Sequence, residues 1–398
     1  MKILIIGYGK TGKSLKKYFD KYQNEVFIYD KKIINEKNYC SFDYLKNKLP
    51  LFDLGIKSPG INDIDEEYML IKSLCKEIYS DLDYAFTKLN KCHVIGITGS
   101  NGKTSFATYL YHFISMKYRT FLVGNIGNPL IDYVDEIIEN DYVILELSSF
   151  QIRDSKLIKL DVLFYTSLSP NHLNVYIDEN HYYADKKRAL FFIKNNEIYF
   201  INNLDNIIGI KDNQFEIKFD FNNDIKKYLQ GEYSCKYANV AMNYCLNIGF
   251  NQKELLNRLI TLKPVKYRLN KIYENKQFVF INDSKSTTSN SSKYCFNTFF
   301  DKPRILILGG RHKSNPFNIK INNNDLVLIY GIDKEKINQE INGKLFNNLE
   351  EIMKYIKTLK NNYYVLFSPG CDSHDQYKSF IERGNHFNEL IDIYFKYE

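Results

Sequence analysis

Short runs of apolar residues alternate with longer segments in which apolar residues recur every three or four positions, and this alternation continues along the whole chain. The short runs have the length of β-strands, and the longer segments are typical of amphipathic helices. Because strands that alternate with helices form parallel sheets with crossover helices, the pattern predicts an α/β fold throughout.

The predicted elements fall into three series. The first has strands over residues 2–7, 25–29, 54–57 and 77–79 and a helix over 11–22, which together predict a small Rossmann-like unit. The second has strands over 94–97, 142–147 and 162–166 and helices over 104–116 and 182–191. The third has strands over 277–282, 304–308, 326–330 and 364–367 and helices over 349–359 and 385–394.

A boundary between the second and third series is predicted near Pro264, because proline cannot continue the helix that precedes it. We therefore predict three domains, each a mostly parallel sheet with crossover helices, at residues 1–91, 92–264 and 265–398. The length of 398 residues agrees with this division, since domains usually have about 100–200 residues.

Composition excludes several classes of protein. Apolar residues make up 44% of the chain and charged residues 25%, which is typical of a globular protein and not of a disordered one. The net charge of +7 is too small to indicate a nucleic-acid-binding protein, although anionic small molecules remain possible ligands. No apolar run approaches the roughly 20 residues of a membrane span, and no export signal is apparent, so we expect a cytoplasmic protein. The seven cysteines form no C-x-x-C pair and are expected to be reduced.

A first glycine motif, Gly7-Tyr8-Gly9-Lys10-Thr11-Gly12, follows the first strand and opens the first helix, and Asp30 ends the next strand. This arrangement is typical of dinucleotide-binding folds. The physical requirement is only a tight turn and a helix N-terminus that faces phosphate, so any nucleotide with a diphosphate fits. Close packing of structural glycines is the alternative explanation.

A second glycine motif runs from Gly96 to Thr104 and ends in Gly-Lys-Thr between a strand and a helix. The backbone N–H groups of such a loop hold phosphate, Lys103 adds a positive charge and the Thr104 hydroxyl can bind Mg2+. The strict phosphate-loop pattern has glycine where this chain has Ile97, so the loop is a variant.

The sequence Thr-Gly-Ser-Asn-Gly-Lys-Thr at 98–104 resembles the ATP loop of the Mur ligases, ATP-dependent amide-forming enzymes of peptidoglycan precursor synthesis. Four further blocks resemble that family in the same order: Gly-Asn-Ile-Gly at 124–127, Glu-Leu-Ser-Ser-Phe-Gln at 146–151, Asn-Asp-Ser-Lys-Ser-Thr at 282–287 and Leu-Gly-Gly at 308–310. The run at 368–377, with Phe380, Arg383-Gly384 and Phe387 after it, is similar to the branch that adds D-glutamate.

The resemblance implies a reaction in which ATP converts a carboxylate of UDP-N-acetylmuramoyl-L-alanine into an acyl phosphate, which the amine of D-glutamate then attacks. The first glycine motif would then hold the UDP end of the substrate and not NAD. No nucleic-acid or membrane partner is implied, and we expect a monomer.

The resemblance also implies the site residues, which fall into five groups. ATP would be bound by Gly99, Ser100, Asn101, Gly102, Lys103, Thr104, Ser105, Asn239, Arg268 and Asp283. The UDP substrate would be bound by Lys10, Thr11, Asp30, Lys32 and Asn125, and D-glutamate by Thr287, Lys313, Ser373 and Phe380. Mg2+ would be held by Thr104, Glu146, His172 and Lys186, the last as a carbamate. The catalytic groups would be Lys103, Lys186, His172 and Lys285.

Two positions depart from the family pattern. Tyr267 stands where the family usually has histidine, directly before Arg268, and Met242 stands where it prefers a second asparagine after Asn239. Both changes concern expected ATP contacts.

Three other functions compete with this interpretation. Another ligase of the same architecture would use a different amino acid or folate, but the Asp-Asn-Pro-Arg signature of a diamino-acid ligase is absent from the sequence. An NAD-dependent dehydrogenase would leave the Lys103 loop unexplained. A nucleotide-binding subunit without ligase activity would not need to retain this set of residues: Lys103, Thr104, Glu146, His172 and Lys186.

Overall fold

The structure is a computed structural model, and it describes residues 1–47, 52–61, 65–169, 175–202, 216–312 and 316–396. The chain forms two compact units. The first comprises Met1–Phe221 and Tyr237–Arg258, and the second comprises Asn222–Lys236 and Leu259–Glu398.

The first unit begins with a four-stranded parallel sheet in the order β2-β1-β3-β4. Its strands are β1 (Lys2–Ile6), β2 (Glu25–Tyr29), β3 (Phe52–Lys57) and β4 (Cys75–Ser80). Its helices are α1 (Lys10–Lys21), α2 (Phe42–Asn47), α3 (Glu66–Ser73) and α4 (Asp81–Lys88). Helix α1 buries Leu15 and Phe19, which are four residues apart and therefore lie on one helix face.

The second sheet of this unit is also parallel and has the order β6-β7-β5-β8-β9. Its strands are β5 (His93–Thr98), β6 (Thr120–Gly124), β7 (Tyr142–Glu146), β8 (Val162–Tyr165) and β9 (Ile198–Phe200). Its helices are α5 (Lys103–Ile114), α6 (Ser149–Asp154) and α7 (Glu179–Lys187), with 3-10 helices at Leu130–Asp132 and Arg188–Phe192. Among the described residues that follow, helices form at α8 (Asn222–Ile225), α9 (Glu232–Asn247) and α10 (Gln252–Leu259).

One hydrophobic cluster joins the two sheets of the first unit. It includes Ile5 and Leu15 from the N-terminal part and Val94 and Val143 from the second sheet, and these side chains are almost fully buried. Burial of apolar surface is the main stabilising contribution to such packing. The two sheets are therefore held against each other by a common core.

The second unit contains a six-stranded sheet in the order β10-β11-β15-β12-β13-β14. Its strands are β10 (Asn270–Glu274), β11 (Phe278–Asn282), β12 (Arg304–Gly309), β13 (Leu326–Tyr330), β14 (Lys344–Leu345) and β15 (Tyr363–Gly370). Its helices are α11 (Ser289–Thr298), α12 (Lys334–Ile341), α13 (Leu349–Lys357) and α14 (Phe380–Ile391), and a π-helical turn follows at Asp392–Lys396. The pair β10–β11 is antiparallel, and the other pairs are parallel.

The predicted α/β class is confirmed. The sequence pattern did not predict strands β6, β9, β10 and β14, of which β9 and β14 have only three and two residues. The helix predicted over 182–191 is split into α7 and a 3-10 turn, and the helix predicted from residue 385 begins at Phe380. Within the described ranges, no helix combines the length and the apolar character that crossing a membrane requires. Each sheet falls inside one of the three predicted domains, whose boundaries remain a prediction.

Candidate active site

The loop after β5 has the backbone of a phosphate-binding loop. Gly99 and Gly102 both have positive φ values, +142° and +82°, which favour glycine. A Cβ atom at Gly102 would lie 2.1 Å from the Tyr237 hydroxyl, and one at Gly99 would lie 2.2 Å from Thr166 Oγ1. Helix α5 then begins at Lys103, with no acidic residue in its first turn. The loop therefore presents N–H groups at a helix N-terminus, where anions bind favourably.

The segment after β8 holds this loop in place. Ser100 N donates to Ser167 O at 2.8 Å, and Thr166 Oγ1 donates to Asn101 O at 2.6 Å. Ser100 Oγ is 2.9 Å from the Tyr182 hydroxyl in α7. Since β5 and β8 are neighbours in the sheet, the loop is fixed by hydrogen bonds before any ligand binds.

Lys103 lies over the loop that precedes it. Its ammonium group donates to the carbonyl oxygens of Gly99 at 2.8 Å and Ser100 at 3.1 Å. These contacts place the positive charge above the loop, in the position from which a lysine of a phosphate loop reaches phosphate oxygens.

Lys186 is buried beside the same loop. Its side chain is almost inaccessible to solvent, and its ammonium donates to Thr98 Oγ1 at 2.9 Å. Burial holds the pKa of Lys186 well below its usual range, and the nearby positive charge of Lys103 lowers it further. Glu146 and Asp185 act in the opposite direction on this pKa. Lys186 is therefore not a solvated charge on a helix surface.

Glu146 ends β7, the strand on the other side of β5, and is 1% exposed. Its Oε1 accepts a hydrogen bond from Asn125 Nδ2 at 3.0 Å. Its Oε2 is buried and has no hydrogen-bond partner among the residues that the structure describes. A buried carboxylate oxygen without a donor is costly unless a cation or another donor completes it.

This orphaned oxygen and the Thr104 hydroxyl are hard oxygen donors of the kind that Mg2+ prefers, so the residues present fit a magnesium ion. Over the described ranges, no group of three or more His, Cys, Asp or Glu side chains could hold a metal ion alone. Mg2+ usually keeps several waters and binds through one or two carboxylates and substrate phosphates, so a sparse protein ligand set agrees with this ion.

The backbone of the N-terminal glycine motif is fixed by hydrogen bonds to side chains that follow strands of the first sheet. Tyr8 N and Lys32 N donate to the two carboxylate oxygens of Asp30, at 2.7 and 2.9 Å. Ser58 Oγ donates to Gly7 O at 2.9 Å. Asp30 therefore organises the loop through backbone N–H groups.

Two other predicted contacts of the sugar nucleotide lie near this loop. Thr11 is in the first turn of α1. A Cβ atom at Gly127 would lie 3.5 Å from Lys10 Nζ, so Lys10 reaches the loop that carries Asn125.

In the second unit, Arg268 lies in a strained turn. Tyr267 and Leu269 on either side of it have positive φ values of 61° and 47°, which are uncommon for residues other than glycine. Lys285 N donates to Tyr267 O at 3.0 Å, and Leu269 N donates to Asp283 Oδ1 at 3.2 Å. Arg268 Nε is buried without a hydrogen-bond partner in the described part of the chain. Strain of this kind persists where the surroundings enforce it, and it concentrates at functional sites.

Asp283 follows β11 and is buried, and Ser368 Oγ donates to its Oδ2 at 2.7 Å. Burial raises the pKa of Asp283 to about 7, although Ser368, Arg268 and the N–H of Leu269 oppose this shift. Lys285 Nζ lies 4.2 Å from the centre of the Phe380 ring, which is a cation–π contact. The structure thus brings together Arg268, Asp283, Lys285 and Phe380.

Arg383 is 1% exposed and joins the ends of three strands in the second unit. Its guanidinium donates to Ser284 Oγ and Ser284 O at 3.2 and 2.9 Å. It also donates to Cys371 O at 3.0 Å and to Gly309 O at 3.4 Å. Ser284, Gly309 and Cys371 belong to or follow β11, β12 and β15, so one side chain holds three loops at the same edge of the sheet.

The remaining predicted residues are placed as follows. Ser105 is buried in α5, and Asn239 is buried in α9, where its Oδ1 accepts from Phe221 N at 3.0 Å. Thr287 follows β11, and Ser373 is buried after β15. His172 and Lys313 lie outside the described residues, so their predicted roles remain predictions.

Sequence reasoning missed Thr98, Tyr182 and Tyr237 as parts of the phosphate loop's surroundings, and it gave Arg383 no role. Thr98 and Arg383 lie in segments that resemble the family, but their contacts join positions far apart in the chain, so the segments do not reveal those contacts. For Tyr182 the available signal was its place in the run at 182–188, which resembles the family block that carries Lys186.

Comparison with known proteins agrees with this geometry. The model of the Mur ligase middle domain matches residues 97–254. The UDP-N-acetylmuramoylalanine--D-glutamate ligase of Francisella tularensis subsp. novicida is 30% identical over 412 residues, which cover 98% of this chain and 95% of the relative. The protein of the same name from subsp. mediasiatica is 29% identical over 98% of this chain and 95% of its own length.

Solved structures show the same fold. The UDP-N-acetylmuramate-alanine ligase of Thermotoga maritima superposes with a TM-score of 0.61 at 15% identity, over 99% of both chains. The MurF ligase of Thermotoga maritima in complex with ADP superposes with a TM-score of 0.60 at 14% identity, over 99% of this chain and 95% of that one. Together with the 30% identity over nearly the whole length, these findings show that the chain belongs to the Mur ligase family of ATP-dependent, amide-forming enzymes.

Proposed function

We propose that this enzyme joins D-glutamate to UDP-N-acetylmuramoyl-L-alanine, forming ADP and phosphate by way of an acyl phosphate. The observation that carries the proposal is the preformed phosphate loop with Lys103 above it and the buried Glu146 and Lys186 beside it. The names of the full-length curated relatives support D-glutamate as the amino acid.

The chemical problem is that a carboxylate is a poor electrophile, because its leaving group would be oxide. Transfer of the γ-phosphoryl group of ATP to this carboxylate creates a good leaving group, and the catalyst must stabilise the charge that develops during transfer. In the proposed mechanism, the loop N–H groups at 99–104 bind the phosphates and Lys103 turns from the loop carbonyls to the phosphate oxygens. Mg2+, when bound, would neutralise phosphate charge near Glu146 Oε2 and the Thr104 hydroxyl.

Lys186 is proposed to act as a carbamate. Its lowered pKa favours the neutral amine, and only a neutral amine can attack carbon dioxide, losing one proton as the N–C bond forms. The product is an anion with hard oxygen atoms, which suits a site that contains a divalent cation. An ammonium group at this buried position would instead oppose cation binding.

Each of the three predicted domains has a proposed part in the reaction. Residues 1–91 hold the UDP end of the substrate through the glycine motif, which includes Lys10 and Thr11. Residues 92–264 bind ATP. Residues 265–398 bind D-glutamate through Thr287, Lys313, Ser373 and Phe380 and contribute Arg268, Asp283 and Lys285.

Phosphate release from ATP tests this proposal. The purified enzyme is given ATP, Mg2+, UDP-N-acetylmuramoyl-L-alanine and one amino acid from a panel of D-glutamate, L-glutamate, L-lysine and meso-diaminopimelate. We expect sustained phosphate release only with the sugar nucleotide and D-glutamate together, because the acyl phosphate waits for the amine. Equal turnover with any other member of the panel would show that the amino acid is assigned wrongly.

A further inference from the structure

A buried ion pair joins the two sheets of the first unit. Lys57 is the last residue of β3 and Asp154 is the last residue of α6. Lys57 Nζ lies 2.8 Å from Asp154 Oδ2, and the two side chains are 4% and 3% exposed. This oxygen accepts no hydrogen bond of ordinary geometry within the described ranges, so the contact is an ion pair. Arg153 Nε donates to the other oxygen of Asp154 at 2.8 Å.

The Lys57 end of this pair lies next to the glycine motif. The following residue, Ser58, donates from its backbone N to Ile6 O at 2.9 Å and from its Oγ to Gly7 O at 2.9 Å. A Cβ atom at Gly7 would lie only 3.0 Å from the Cβ of Ser58. A displacement of Lys57 would therefore also move Gly7, the first glycine of the motif.

The Asp154 end leads to the phosphate site through one short helix. Helix α6 starts soon after Glu146 and is capped by Ser148. Gln151 N donates to Ser148 Oγ, and Ser148 N donates to Gln151 Oε1. Its six residues span about 9 Å at 1.5 Å per residue. Leu147, just before the cap, accepts a hydrogen bond from Thr98, the residue that also binds Lys186.

Apolar packing alone would hold the two sheets together, since they share a hydrophobic core. A buried ion pair is often no more stabilising than a well-packed apolar pair, because both charges lose their hydration. It is, however, specific to one placement, because displacing either charge weakens a buried interaction that Arg153, on the other oxygen of Asp154, does not replace. The pair is therefore suited to fix one relative placement of β3 and α6.

We propose that Lys57 and Asp154 are positioning residues that hold the glycine motif at a fixed distance from Glu146 and the phosphate loop. This inference rests on the proposed function, in which the glycine motif holds one end of the sugar nucleotide and the carboxylate at its other end receives a phosphoryl group. Because in-line transfer is sensitive to displacements of about 1 Å, this spacing controls the rate of the reaction.

The chain offers a matched control. Lys21 in α1 and Asp135 form another ion pair between the first sheet's helices and the segment before β7. The distance between Lys21 Nζ and Asp135 Oδ2 is 2.6 Å. Their side chains are 60% and 35% exposed, so water and salt screen this pair. Loss of its charge should leave the reaction unchanged.

The experiment compares Lys57→Met, Asp154→Asn, the double variant Lys57→Met/Asp154→Leu and the control Lys21→Met. The double variant removes both charges of the pair and leaves only Arg153, whose side chain is 21% exposed, beside this position, so it remains testable if a single variant fails to fold. We expect kcat/KM for the sugar nucleotide to fall about 10- to 100-fold per folded enzyme in the single and double variants. KM for ATP should stay within about twofold of wild type, and Lys21→Met should match wild type in both.

Three results would overturn the inference. The first is a folded double variant whose kcat/KM for the sugar nucleotide lies within twofold of wild type, because the pair would then only pack. The second is an equal rise of KM for ATP and for the sugar nucleotide, which would indicate general loosening. The third is an equal loss in Lys21→Met. The ratios of variant to wild-type kcat/KM and KM are measured with whichever amino acid the wild-type enzyme accepts. If that amino acid is not D-glutamate, the proposed function is contradicted, but this test can still be carried out.

Discussion

The buried polar clusters of the two units differ in how completely their charged groups are hydrogen-bonded. In the first unit, Glu146 has a buried oxygen without a hydrogen-bond partner in the described chain, and Lys186 is buried with a lowered pKa. In the second unit, Asp283 accepts hydrogen bonds at both oxygens, and Arg383 donates to four acceptors. Both groups are buried, but Asp283 and Arg383 have hydrogen-bond partners, whereas Glu146 Oε2 has none in the described chain. The exception in the second unit is Arg268, whose Nε is also buried without such a partner.

This difference separates two uses of buried charge. Charged groups that lack partners cost stability and await a ligand, whereas groups that the protein satisfies hold loops in place. Substitution in the first cluster should therefore remove activity and leave stability nearly unchanged. Substitution of Arg383 should do the reverse when activity is expressed per folded molecule.

The largest effect is expected for Lys103→Ala. Loss of the charge above the phosphate loop should lower kcat about 10³- to 10⁵-fold, the range reported for cationic groups that stabilise phosphoryl transfer. The free energy of unfolding should change by less than about 0.5 kcal/mol. Steady-state kinetics and denaturant unfolding measure the two quantities. Lys117→Ala, beyond the other end of α5, is the control, and near wild-type turnover of Lys103→Ala would show that the loop does not act in catalysis.

Lys186→Ala should lower turnover about 10³-fold, and a short carboxylate should restore part of it. Acetate or formate can supply the missing anion in the space that the side chain vacates, whereas these ions should not affect Lys187→Ala. Removal of bicarbonate and carbon dioxide should slow the wild-type enzyme. If turnover is insensitive to carbon dioxide and the variant is not rescued, the carbamate assignment is wrong.

Arg383→Met should destabilise the second unit by about 3–5 kcal/mol, because it removes the donor of four buried hydrogen bonds. Arg383→Lys should recover only part of this loss, since an ammonium cannot match the planar guanidinium geometry. Denaturant unfolding of both variants tests this, with the exposed Arg311→Met as the control at the same edge of the sheet. An unfolding midpoint of Arg383→Met equal to that of wild type would contradict the difference drawn between the clusters.

The smallest effect concerns pH and Asp283. Burial raises its pKa from 3.8 to about 7, so the folded chain keeps this proton to higher pH than the unfolded chain does. Stability from this group is therefore lost as pH rises between about 4 and 7. Relative to the wild-type protein, the free energy of unfolding of Asp283→Asn should increase by about 1–3 kcal/mol as pH rises from 5 to 8. Thermal unfolding at a series of pH values measures this change.

Asp325 supplies the opposite case in the same unit. Burial alone would raise its pKa, but hydrogen bonds from Arg304 outweigh burial and the pKa is lowered. Because the pKa of Asp325 is lowered, this carboxylate is ionised in both the folded and the unfolded chain from pH 5 to 8. Asp325→Asn should therefore lower the free energy of unfolding by an amount that is constant over this range. If the stability change relative to wild type depends on pH in the same way in both variants, the pKa of Asp283 is not raised.

Much of the first cluster could be predicted from sequence because its geometry comes from consecutive residues. Gly99, Gly102 and Lys103 lie in one loop between a strand and a helix, and backbone conformation fixes what they can bind. The same holds for the strands that place Glu146 and Asp283 at carboxyl edges of sheets.

Other features could not be predicted because they depend on contacts between distant segments. The side chain that a Cβ atom at Gly102 would meet is that of Tyr237, and a buried partner of Lys57 is Asp154. The strain at Tyr267 and Leu269 also has no local signal, since neither residue is glycine or asparagine. Tertiary contacts enforce these positions, and a single sequence does not reveal them.

The most direct test of the proposed reaction follows oxygen atoms. UDP-N-acetylmuramoyl-L-alanine with ¹⁸O in both oxygens of its terminal carboxylate is incubated with ATP, Mg2+ and D-glutamate, and phosphate and product are analysed by mass spectrometry. Phosphorylation of the carboxylate predicts that each phosphate released carries one ¹⁸O and that the new amide retains the other. Unlabelled phosphate accompanied by a product that retains both labels, or by no product, would contradict the account.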